Sequence, residues 1–127
     1  MIIYPDENYT SWISEDDADE YFETRLNAAE WDAADPEMAL QTAFRSLNEL
    51  DLDIDLDEDE SPLQALKQAQ CEQAIHELKN ELDNQSLESM NLSGGLPVKI
   101  KPAPRYSERA LAILRPYIVM PTVSRLR

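Results

Sequence analysis

The chain has 127 residues, which fits one domain able to bury a single core, and its 43% hydrophobic and 29% charged residues exclude wholesale disorder and fibrous repeats. No apolar run approaches the roughly 20 residues a membrane helix needs, and Met1-Ile2-Ile3-Tyr4-Pro5-Asp6 has no basic flank or apolar stretch of a targeting signal, so a soluble, unexported chain without a membrane partner is expected. Cys71 and His76 are the only residues of their types, which excludes an internal disulfide and a His-pair metal centre, while the net charge of −15 departs from the average.

Ser14 is a good N-cap, and Ala18, Tyr21, Phe22, Leu26 and Ala29 at three-and-four spacing predict a helix over 15–29. Its first turn holds Glu15, Asp16 and Asp17, matching the positive end of the helix dipole. Asp35-Pro36 opens a second helix with a stripe of Leu40, Ala43, Phe44, Leu47 and Leu50. Residues 51–60, Asp-Leu-Asp-Ile-Asp-Leu-Asp-Glu-Asp-Glu, alternate charge and aliphatic like a strand, yet carry too much like charge to pair comfortably. They read as an acidic loop.

Ser61-Pro62-Leu63-Gln64 has the capping-box pattern and predicts a third helix over 62–83, with Leu66, Cys71, Ala74, Ile75, Leu78 and Leu82 on one face. Gly94-Gly95 closes the body in a flexible turn, and five of the eight prolines lie beyond it. Val98-Lys99-Ile100-Lys101 alternates like a short edge strand; a fourth helix should run from Ser107 to about Arg115, where Pro116 stops it; Tyr117 to Val123 is a second apolar extended piece. Fully extended, residues 116–127 would span about 40 Å, enough to reach another molecule. The expected fold is all-α: a small bundle of about four helices in an acidic body, residues 1–95, followed by an extended, proline-rich basic arm, residues 96–127, that includes the short helix.

Charge follows the same division. Residues 1–60 carry twenty acids against Arg25 and Arg45, whereas residues 96–127 carry Glu108 against Lys99, Lys101, Arg105, Arg109, Arg115, Arg125 and Arg127. Asymmetry of this kind marks an interaction tail, and in an oligomer the basic end of one subunit can lie on the acidic body of the next.

Candidates for chemistry are few. Cys71 and His76 are five residues apart on one helix, which turns them about 140° away from each other. Cys71 falls on the apolar stripe and reads as a buried structural thiol, and His76, beside Glu77, as a surface helix residue. Alternating Asp51, Asp53, Asp55 and Asp57 invite a calcium reading, but the EF-hand glycine and glutamate places hold Leu56 and Pro62. No glycine-rich phosphate loop, Ser-His-Asp order or cysteine pair occurs. A non-enzymatic protein without metal or cofactor is expected.

Tyr9-Thr10-Ser11-Trp12-Ile13-Ser14-Glu15-Asp16-Asp17-Ala18-Asp19-Glu20-Tyr21-Phe22, with Arg25-Leu26 and Trp31, resembles the N-terminal signature of phage head-tail connector adaptor (head completion) proteins. Ala69-Gln70-Cys71-Glu72-Gln73-Ala74 is similar to the family's Ala-x-x-Glu-x-Ala pattern. Gly95-Leu96-Pro97-Val98-Lys99-Ile100, leading to Ala112-Ile113-Leu114-Arg115-Pro116-Tyr117-Ile118, resembles its glycine, extended piece and Leu-x-Pro-Tyr close. Where family members often carry Trp-Pro-Arg after the second helix, this chain has the acidic loop and Ser61-Pro62.

The resemblance implies a structural subunit of a ring of about twelve copies, seated in the virion between the portal protein and a tail or stopper protein, assembled in the host cytoplasm. Genome DNA would pass through the channel without specific binding. Contact with the portal or a neighbour would fall on Val98, Lys99, Ile100, Lys101, Arg115, Tyr117, Ile118, Val119, Arg125 and Arg127, by strand addition and basic charge. Asp51, Asp53, Asp55, Asp57, Glu58, Asp59 and Glu60 would face the channel and repel phosphates over roughly 10 Å. Some relatives are labelled as similar to a primosomal single-strand-binding protein. That makes a single-stranded DNA module the alternative, with Tyr106 and Tyr117 as stacking platforms, although a net charge of −15 suits it poorly.

Overall fold

Ser14 Oγ accepts the Asp17 N–H at 3.1 Å, and Glu15, Asp16 and Asp17 meet the positive end of the helix that begins there. This helix, α1 (Glu15–Glu23), is the first of five α-helices among the residues described in a computed structural model, namely 1–32, 34–92 (backbone alone over 82–92) and 105–119. The others are α2 (Ala29–Asp32), α3 (Pro36–Asn48), α4 (Pro62–Leu92) and α5 (Glu108–Leu114), with a 3-10 turn over Arg115–Tyr117. The architecture is all-α, and among the described residues no helix is long and apolar enough to cross a membrane.

The helix expected over 15–29 is interrupted. Thr24 closes α1, Asn27 takes φ 61°, a left-handed value that asparagine tolerates better than most residues, and the chain restarts as α2. The turn places the Arg25 side chain against α4 and brings Trp31 onto Phe22, ring centroids 4.6 Å apart. Trp31 Nε1 donates to Asp19 Oδ1 at 2.8 Å, so the buried indole keeps its polar edge satisfied.

Asp35 Oδ1 accepts the Met38 N–H at 3.3 Å and caps α3, with Pro36 in the first turn where its missing donor costs nothing. Leu40, Ala43 and Leu47 of the expected stripe are fully buried. Phe44 is half-buried against Trp12, 4.5 Å between centroids. The loop before α4 is closed by Asp59, whose Oδ1 accepts the Ser61 N–H at 2.9 Å.

Helix α4 runs past the end expected at residue 83, and it is the axis of the fold. Seven consecutive residues, Ala69 to Ile75, are buried, so for two turns the helix has no wet face. α3 packs on one side of it and α5 on another, with α1 and α2 completing the surround. Two groups of apolar side chains result. Ile13, Phe22, Trp31, Leu40 and Ile75 fill the space toward α1 and α2; Trp12, Leu47, Leu66, Ala110 and Leu114 fill the space toward α5. Each such large side chain contributes about 1.5–3 kcal/mol by leaving water.

The boundary expected at residue 95 does not separate 105–119 from the body. Ser107 Oγ caps α5 by accepting the Ala110 N–H at 3.2 Å, and Ala110 and Leu114 are fully buried on α4. Pro116 ends α5 as expected, but within a 3-10 turn rather than at the start of an extended reach.

Candidate assembly surface

Three polar side chains on α4 fix the elements that carry the surface. The Gln70 amide, fully buried, accepts the Trp12 N–H at 2.9 Å and donates to Ser11 Oγ and to the Leu40 carbonyl, both at 2.8 Å. Ser11 Oγ in turn donates to the Ile13 carbonyl at 2.7 Å. The N-terminal segment is thereby held to α3 and α4. Gln73 acts the same way at the other end of the chain: Oε1 accepts the Ser107 N–H at 2.8 Å and Nε2 donates to the Arg105 carbonyl at 3.0 Å, which fixes the entry to α5.

Glu72 is the third. Its carboxylate accepts two hydrogen bonds from Arg25, from Nε and from a terminal guanidinium nitrogen, both at 2.8 Å, and a third from the Tyr21 hydroxyl. Burial pushes the Glu72 carboxyl up, but the Arg25 and Tyr21 hydrogen bonds and the Arg25 charge outweigh it and hold the group below the ordinary carboxylate range. Tyr21 is raised by the same burial and by the carboxylate it donates to. Adjacent Cys71 is fully buried, and burial, with the Glu72 and Asp17 charges behind it, pushes its thiol up to about 12. A thiol so raised is a poor nucleophile. His76, half-buried on α4, has Nε2 3.2 Å from the Asn80 amide nitrogen.

The acidic segment 51–60 sits at the rim of the second core group, and its period-two pattern is used. Leu52, Ile54 and Leu56 are half-buried and pack inward; Asp51, Asp53, Asp55, Asp57, Glu58, Asp59 and Glu60 are exposed. Expected to avoid pairing, it pairs once. Leu52 forms an antiparallel bridge with Ile118, flanked by Asp53 N–H to the Tyr117 carbonyl at 2.7 Å and Val119 N–H to the Asp51 carbonyl at 2.8 Å. The like-charge penalty is avoided because the partner, Tyr117-Ile118-Val119, carries no acid. Asp55 organises the tip, with Oδ1 accepting the Asp57 N–H at 3.0 Å.

Of the residues expected to make attachments, Tyr117 and Ile118 are half-buried against their own chain, whereas Arg115 and Val119 are exposed. Val98, Lys99, Ile100, Lys101, Arg125 and Arg127 lie outside the described residues, as do Gly94 and Gly95. Tyr106 and Tyr117 both pack on the second core group, and the Arg105 guanidinium lies 5.5 Å from the Tyr106 ring centre while pairing with Glu49. Among the described residues, no three His, Cys, Asp or Glu side chains are placed to hold a metal ion.

Sequence reasoning missed Gln70 and Gln73, because a polarity pattern assigns glutamine to the wet face. A signal was present in Ala69, Cys71 and Ala74, small residues that allow close approach on several sides of one helix. No family model, curated protein or solved structure matches this chain.

Proposed function

We propose that this chain is a structural subunit of a phage head–tail connector ring, seated between the portal protein and a tail or stopper protein, and that it performs no catalytic step. The observation that carries this reading is the convergence of Tyr21, Arg25 and Glu72 in one buried contact. These residues come from two separate stretches that carry the resemblance to connector adaptors, and a shared interior contact gives a physical reason for the two stretches to occur together.

In this reading the helical block forms the ring wall. The seven exposed carboxylates of 51–60 rim the channel and keep DNA phosphates from adhering, with a range of roughly 10 Å at ordinary salt. Attachment falls to the basic sequence on either side of 105–119, since Tyr117 and Ile118 are committed within the chain.

Mass and shape in solution, with and without purified portal protein, test the reading. A ring seated on the portal, with residues 51–60 at the lumen, is the expected result. A monomer that shows no association with portal at micromolar concentration overturns it.

A further inference from the structure

Helices α2, α3 and α4 line a groove of about 330 Å³ to which α5 contributes no residue. Its apolar lining is Ala34, Met38, Ala39, Ala74 and Leu78, and Met38, on the first turn of α3, is 65% exposed. Four acids stand around this lining: Glu30, Asp35, Glu77 and Glu81. None of the groove's lining residues is basic.

Glu77 is half-buried in the wall, with both carboxylate oxygens within 3.2 Å of the Ser46 hydroxyl. Burial raises its carboxyl, and the Ser46 and Gln73 hydrogen bonds and the neighbouring His76 only partly offset the rise. A half-buried carboxylate whose hydrogen bonds come from the neutral Ser46 and Gln73, and whose burial is only partly offset, is further stabilised by a cation that approaches from the open side. The groove therefore fits a short extended segment that alternates a small apolar side chain with positive charge. A volume of 330 Å³ is at the lower end for binding pockets and takes one or two side chains rather than a folded element.

The chain itself contains such a segment. Residues 120–127, Met-Pro-Thr-Val-Ser-Arg-Leu-Arg, include Arg125-Leu126-Arg127 and carry no acidic side chain. We infer that the groove between α2, α3 and α4 receives residues 120–127 of a second copy of this chain, with Leu126 on Met38 and Leu78 and the two arginines on the flanking carboxylates. The choice of a second copy rests on the ring reading above. A tail of one subunit seated in a groove of the next joins two different surfaces, and contacts of that type generate rings when the rotation closes. Eight residues in so small a groove fall far short of the roughly 800 Å² per partner of a stable interface, so one contact is weak alone and many reinforce one another when the ring closes.

Disulfide trapping with full-length chains tests this. Met38→Cys in isotope-labelled chain is mixed with Leu126→Cys in unlabelled chain under a mild thiol–disulfide buffer, and the dimers are sorted by mass. Buried Cys71 does not compete, and circular dichroism checks that the exposed Met38 site tolerates the change. The expected result is a Met38→Cys to Leu126→Cys dimer in about tenfold excess over either like pair at low salt, falling to the statistical ratio at about 0.5 M salt or with Glu77→Gln and Glu81→Gln added.

A statistical ratio at low salt overturns the inference. So does a double variant that closes within one chain in preference to joining two. Ring formation on portal by the unmodified chain is scored separately: normal rings with statistical trapping sink the groove contact alone, whereas trapping in excess without rings supports the contact and sinks the connector reading.

Discussion

Residues 69–75 of α4 hold two glutamines and a glutamate at 2% exposure or less, while residues 51–60 hold seven carboxylates that all face water. The first stretch gives each polar side chain named partners at 2.8–3.0 Å apart from the closer Tyr21 contact, and the partners come from the N-terminal segment, α1 and the turn after it, α3 and the entry to α5. The second relies on water to screen its charges and on Leu52, Ile54 and Leu56 to keep it attached. Polar groups in the first case specify which segments meet. In the second they leave a surface with a strong field and little structural commitment. Substitution should therefore be costly in one place and cheap in the other.

Glu72→Ala is the sharpest way to break the comparison. It leaves Arg25 without its buried partner, and a loss of about 3–5 kcal/mol in urea unfolding is expected. Because the folded carboxyl lies below its ordinary value, the unfolded chain binds that proton more tightly. The Glu72 contribution is thus present above about pH 4.3 and is lost as pH falls through the lower folded pKa. Glu72→Gln should flatten the acid limb of stability measured between about pH 3 and 7; an unchanged limb would show that the pair does not stabilise the fold.

Leu114→Ala comes next, at about 2–5 kcal/mol, since Leu114 is fully buried against α4. It should also speed trypsin cleavage after Arg105 and Arg109, and equal rates in parent and variant would mean that 105–119 does not belong to the body. Ser107→Ala removes the α5 cap and should cost about 1 kcal/mol, read by the same unfolding curve. Smallest are Asp53→Asn and Asp57→Asn, each within about 0.5 kcal/mol. Combined, they should raise stability at low salt, with the gain vanishing near 1 M, where screening reaches about 3 Å.

Helix starts were legible in the sequence because capping is local. Ser14, Asp35 and Ser107 each hold the N–H three residues on, as their sequence contexts imply. The stripe of Leu40, Ala43 and Leu47 was legible for the same reason, as was the burial of Cys71. What was not legible depends on distant partners. The interruption of the first helix goes with Arg25 meeting a glutamate 47 residues away. The placement of 105–119 was obscured by its basic charge and prolines, although a helix as short as α5 is not stable alone, so its apolar face required a partner surface. Of the candidate surface, the inward side of 51–60 was visible in its alternation, whereas its pairing with Ile118 needed the position of α5 first.

The Leu52–Ile118 bridge also sets how the molecule responds to a pull. Load applied beyond residue 119 falls first on the Val119–Asp51 hydrogen bond and then on the Tyr117–Asp53 bond, so the two open in succession like a zip rather than together. Only after both have opened, and Tyr117 and Ile118 have left the edge of the second core group, does force reach the fully buried Leu114. The rim is thus a mechanical fuse: a tug on the terminus yields slack there while the remaining helices keep their shape.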